Sequence, residues 1–143
     1  MTGRGCAPSR PIYSSRRVIH PKGLLMSILV AVTDSAEGRA ALRAAQGEAE
    51  LLGQPLYVLN LALRPLAEQR MDLPEGAEII ERSGRGDRDP AQAVLDEVEQ
   101  HDISRLVIGI KRRTPVGKAL LGSVSQRLLM ECPVPVLSVK YDG

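Results

Sequence analysis

The chain has 143 residues, 43% of them hydrophobic and 25% charged, a mixture suited to one globular domain and not to two. Its apolar stretches, typified by Leu56 to Leu63, are too short to cross a bilayer as a helix, and Cys6 and Cys132 at opposite ends provide neither a disulfide framework nor a zinc site. With three tyrosines and no Phe or Trp, the chain lacks the aromatic platform on which single-stranded nucleic acid stacks.

The formal charge of +2 conceals a division. Residues 1–25 carry Arg4, Arg10, Arg16, Arg17 and Lys22 and no acid, whereas the remainder holds 14 basic and 17 acidic side chains. A mildly acidic body removes the electrostatic case for nucleic acid as a main ligand. Residues 1–25 have no apolar run of secretory type. They read as a disordered basic extension ahead of a domain over 26–143, with a start at Met26 or an organellar transit peptide as the other accounts. No membrane partner and a reducing, cytoplasmic setting are expected.

Ser27 to Thr33 (SILVAVT) is short, apolar and β-branched, the pattern of a buried strand. Asp34 or Ser35 can cap the helix that follows, and Asp34 with Glu37 has capping-box spacing. Ala41, Leu42, Ala45, Ala49 and Leu52 form its apolar stripe, and Gly53 stops it. Pro55 to Leu61 is a second buried strand. Leu66 to Met71 suits a helical turn, and Ala77 to Arg82 a third, more charged strand, with a loop over 83–88. Asp89-Pro90-Ala91-Gln92 is a helix start with an acidic cap, Pro at the first position and capping-box spacing; Ala91, Val94, Leu95 and Val98 face the core. Arg105 to Gly109 is the fourth strand. Ser123-Val124-Ser125-Gln126 again has capping-box spacing and opens a helix to about Glu131, and Val134 to Val139 is the last strand.

Strands alternating with helices predict an α/β fold, one parallel sheet covered on both faces. Ligands of such sheets sit beyond the carboxyl ends of the strands, where strand order reverses. That rule directs attention to Thr33 to Ser35 and to Gly109 to Ser125. Glycines at the end of a strand and before a helix let backbone approach a ligand closely, and free amides at a helix start favour phosphate; a tight strand exit and an ordinary N-cap at Ser123 account for the same residues. Lys111-Arg112-Arg113 is either a phosphate clamp or a solvated loop. Gly117-Lys118 is not the end of a P-loop, because Arg112 stands where its first Gly belongs and Ala119 where Ser or Thr belongs. Arg85-Gly86-Asp87 spells an adhesion tripeptide by chance. His101 has no metal-ligand neighbours in sequence and suits a helix C-terminus, where imidazole caps carbonyls. Cys132 reads as a small hydrophobe.

Ile28 to Leu42 (ILVAVTDSAEGRAAL), Leu106 to Gly109, and Gly109 through Lys140 with LLGSVSQRLLMECPVPVLSVK at its end resemble the universal stress protein family over 26–140. The resemblance implies a Rossmann-like, single-domain, mostly parallel five-stranded sheet with helices on both faces and strand order 3-2-1-4-5. The interval between strands two and three is short for the family and leaves room only for a reduced second helix. Nucleotide-binding members carry Gly-x-x-Gly-x9-Gly-Ser/Thr; Gly109 and Gly122-Ser123 fall in register, while Arg112 replaces the middle glycine. An Asp at the end of strand one is replaced here by Thr33, with Asp34 displaced by one.

By resemblance, the nucleotide site consists of Ala31 and Thr33 on strand one, Ile108, Gly109 and Arg112 at the end of strand four, and Gly122, Ser123, Val124 and Ser125 at the start of the last helix. ATP, AMP or another adenine nucleotide, with magnesium possible, is the implied ligand of a non-enzymatic stress-response protein; a nucleotide-free dimeric interaction module is the alternative. Strand five is apolar on both faces, and the family commonly pairs this strand with its symmetry mate. An antiparallel homodimer through Val134 to Lys140, centred near Leu137, is therefore expected.

Overall fold

The computed structural model describes residues 26–82, 89–111 and 121–141. The first 25 residues, the loop over 83–88 with its Arg-Gly-Asp, and Arg112 with the rest of 112–120 lie outside this range. Strands β1 (Ser27–Val32), β2 (Leu56–Asn60), β3 (Glu78–Glu81), β4 (Ile103–Lys111) and β5 (Val136–Tyr141) alternate with helices α1 (Ala36–Leu52), α2 (Pro90–Gln100) and α3 (Ser123–Glu131). All pairings are parallel, in the order β3-β2-β1-β4-β5. The α/β architecture and strand order are those expected.

The sheet is central because β1 is. All six of its residues are buried, and the period of two in a strand sends them alternately to two cores. Ile28, Val30 and Val32 join Ala41, Leu42, Ala45 and Ala49 of α1 on one face. Leu29 and Ala31 join Ala91, Val94, Leu95 and Val98 of α2 and Leu128 of α3 on the other. Small alanines along α1 let its axis lie close to the strands. The helix ends at Gly53, whose φ of 64° is the left-handed conformation that glycine adopts without penalty. Leu52, expected in the stripe, is exposed, and Ala49 is the last residue of the stripe in the core.

Other boundaries differ for reasons of pairing. β4 extends beyond Arg105–Gly109 at both ends because it has a ladder on each side: Ser27 pairs with Ile103, and Ile110 and Lys111 pair with Lys140 and Tyr141. β5 starts two residues later than Val134. Neither Pro133 nor Pro135 can donate to a ladder, and pairing opens with the Pro135 carbonyl accepting from Leu106 N at 2.9 Å. Between β2 and β3 only one 3-10 turn forms, Leu66–Glu68, the reduced element anticipated for so short an interval.

Candidate functional site

The carboxyl ends of the strands present Thr33 and Asp34 after β1, Asn60 at the end of β2 with 61–64 following it, Glu81 and Arg82 at β3, and Gly109 to Lys111 on β4, and α3 is the next element in the chain after β4. At the β1–α1 turn, Ser35 and not Asp34 is the N-cap. Its side chain accepts from Gly38 N at 3.1 Å, and Thr33 Oγ1 and Ser35 Oγ share a hydrogen bond of 2.7 Å. The Asp34–Glu37 capping box does not form, because Asp34 Oδ2 instead accepts from Arg64 Nη2 at 2.5 Å, with Arg39 Nη1 at 3.9 Å from Oδ1.

This turn is locked by two glycines. A Cβ on Gly38 would lie 2.1 Å from Thr33 O, and one on Gly109 would lie 2.2 Å from Glu37 O. Gly109 admits two readings, close approach by a ligand or a tight strand exit; in the structure the backbone of α1's first turn lies against it, and there the absence of a side chain is a packing requirement. Ala31 and Ile108 have their side chains in the second core, so what they can present at the strand ends is backbone. Lys111 is exposed at the end of β4.

The start of α3 is of another kind. Its N-cap is Gly122, with no side-chain capping bond and no acidic residue in the first turn. Ser123 is the first helical residue, exposed, and not the cap that its spacing to Gln126 predicted. The spacing misled because Gln126 turns outward, its Nε2 donating to Leu121 O at 3.2 Å. Among the described residues, no atom lies within 4 Å of a Cβ placed on Gly122. Among the described residues no side chain caps these first-turn amides, whereas α1 and α2 have Ser35 and Asp89. Asp89 caps as expected, accepting from Ala91 N at 3.1 Å, but Gln92 bonds Asp96 and Arg127 and leaves the box half made.

Sequence reasoning missed the β2 side. Asn60, only 1% exposed, donates through Nδ2 to Arg64 O (2.8 Å) and Glu81 Oε1 (2.7 Å) and accepts at Oδ1 from Ala62 N (3.0 Å) and Gln69 Nε2 (3.1 Å). Glu81 Oε2 accepts from Leu66 N, and Gln69 Nε2 also donates to Arg64 O. This network stitches residues 61–69 onto the sheet edge. A polar residue closing the apolar run PLYVLNL was the one signal available for Asn60; nothing in the sequence marked Arg64.

His101 does not cap carbonyls with its ring. Its backbone N–H closes α2, while Nε2 lies 3.1 Å from Glu97 Oε1 and the ring lies against Tyr57. Cys132 is half-buried against the second core. Among the described residues no group of three His, Cys, Asp or Glu is placed to hold a metal, and no helix is long and apolar enough to cross a membrane.

Residues 62–140, more than half of the chain, match the model of the universal stress protein family. The chain belongs to that family. A universal stress protein of Mycolicibacterium smegmatis is 56% identical over 55 residues, a stretch covering 38% of this chain and 42% of that protein. The chain therefore matches less than half the length of this curated relative. Among solved structures, a universal stress protein from Archaeoglobus fulgidus superimposes with a TM-score of 0.60 at 29% identity, over 82% of this chain and 100% of that one. A structure of the universal stress protein from Archaeoglobus fulgidus in complex with dAMP gives 0.54 at 25% identity, over 82% and 99%. A universal stress protein in complex with cAMP, at 18% identity and 0.55, has the same fold.

Proposed function

We propose that this universal stress protein binds an adenine nucleotide, ATP or AMP, at the carboxyl edge between β1 and β4, and that it acts by binding and not by catalysis. The observation that carries this reading is the start of α3: an exposed helix N-terminus at Gly122-Ser123 that, among the described residues, has no side-chain cap and no atom within 4 Å of a Cβ on the glycine, suited to phosphate. The relative that binds dAMP supports the choice of ligand class. In this reading, Ser123, Val124 and Ser125 offer backbone amides to phosphate, Thr33 and the backbone of Ala31, Ile108 and Gly109 line the β1–β4 side, and Arg112 adds a guanidinium. Magnesium would travel with the phosphates, since no three-residue metal cluster is available among the described residues. The unit that folds and binds is residues 26–143, acting in the cytoplasm.

Calorimetric titration with ATP and AMP, with and without magnesium, tests the proposal. Saturable binding is expected; no heat and no thermal shift at millimolar nucleotide would overturn it.

The alternative, a nucleotide-free dimeric module, draws on Thr33. Nucleotide-binding members carry an ionised acceptor at this position, whereas Thr33 offers a hydroxyl already bonded to Ser35. Dimerisation through Val134 to Lys140 is proposed under either reading: β5 is an edge strand whose residues are all half-buried or exposed, and Leu137, Leu129 and Met130 are exposed apolar side chains on β5 and the preceding α3. Val136→Lys should give monomers or aggregates in light scattering. A stable soluble monomer for the unmodified chain at micromolar concentration would refute the dimer.

A further inference from the structure

We infer that Asp34 and Arg64 form a gate on the β1 side of the mouth, an ion pair joining the β1–α1 turn to the segment after β2 that must part before a nucleotide seats against Thr33. The inference rests on the nucleotide reading above and adds a control on that same site. Its basis is a contrast in how the two ends of Arg64 are held. The backbone carbonyl of Arg64 accepts from two amides, Asn60 Nδ2 and Gln69 Nε2, each at 2.8 Å. Asn60 and Gln69 are themselves buried, and Asn60 has both donors and both acceptor sites engaged. Opening that network would strand several buried polar groups.

The side chain is another matter. Arg64 is 53% exposed and Asp34 34%, and the 2.5 Å contact between them is a surface ion pair, weak in water and screened by salt. The movable part is therefore the guanidinium and not the segment that carries it. Asp34 directly follows Thr33, whose hydroxyl is tied to the Ser35 cap. In this proposal a ligand seated against Thr33 comes up against the carboxylate of the next residue and the Arg64 guanidinium bonded to it. Arg39 at 3.9 Å leaves Asp34 with one partner after the pair parts, which lowers the cost of opening. The gate thus holds affinity down by the strength of one exposed pair, and conditions that weaken the pair raise affinity.

The test is a double-mutant cycle read by calorimetry with AMP, using the unmodified chain, Asp34→Asn, Arg64→Met and the double variant, each with its thermal melt recorded to confirm folding. Asp34→Asn should bind AMP about two- to fivefold more tightly, the range an exposed ion pair supplies. The same change in the Arg64→Met background should have no effect, and high salt should erase the difference between the unmodified chain and Asp34→Asn. A gain that persists in the Arg64→Met background would mean that Asp34 acts by repelling the phosphate alone, and would overturn the gate. Weaker binding by Asp34→Asn would make Asp34 a ligand contact and overturn it as well. Equal binding by all four chains removes the gate and leaves the nucleotide reading standing. No binding by any of the four removes the nucleotide reading, and the gate with it.

Discussion

β1 and β5 are strands of equal length in one parallel sheet, and their surroundings are opposite. Every residue of β1 is buried between two helical layers, and its exit is clamped by backbone-on-backbone contacts at Gly38 and Gly109. No residue of β5 reaches full burial, and α3, the helix leading into it, buries a single side chain, Leu128. The centre is complete within one chain. The β5 flank carries the apolar edge and a helix start with no side-chain cap among the described residues, the two features that the proposed ligand and second copy would cover. In the proposed reading, the functional surface sits where packing is thin, and the centre holds it in register.

The sharpest way to break this comparison is at the clamp. Gly109→Val places a branched side chain where Glu37 backbone already lies; a loss of about 3 kcal/mol in urea denaturation is expected. A well-tolerated valine would show that α1 can move away and that the centre is not locked. On the thin flank, Leu128→Ala should cost about 2 kcal/mol, the low end for a buried leucine, because a helix with one anchor can settle into the space. Met130→Ala, at 84% exposure, serves as its control and should leave stability unchanged in the monomeric domain.

The two helix starts sharpen the contrast at smaller energies. Ser35→Ala removes a bonded cap from α1 and should cost about 1 kcal/mol. Ser123→Ala removes no capping bond and should stay within about 0.5 kcal/mol in the same denaturation experiment. A cost at Ser123 equal to that at Ser35 would mean that α3 is capped after all, and would weaken the case for phosphate there.

Much of this was legible in the residues. SILVAV could only be an interior strand, and Asp89-Pro90 could only open a helix, since each is decided by neighbours along the chain. The candidate edge followed from strand–helix alternation. Capping was read less well: Asp34-Glu37 and Ser123-Gln126 have the right spacing, but competing partners brought by the fold, Arg64 for Asp34 and the Leu121 carbonyl for Gln126, took the side chains elsewhere.

By itself the sequence determined the order of elements, the stripes of α1 and α2, and the family, because periodicity and local turn chemistry act over a few residues. Only the tertiary structure decided what packs against Gly109, which of Asp34 and Ser35 caps, and that Asn60 bonds the Arg64 carbonyl while the Arg64 side chain reaches Asp34. Those outcomes depend on atoms from segments 21 to 72 residues apart meeting within hydrogen-bond or van der Waals distance. No spacing along a single chain encodes such meetings; the strand order does.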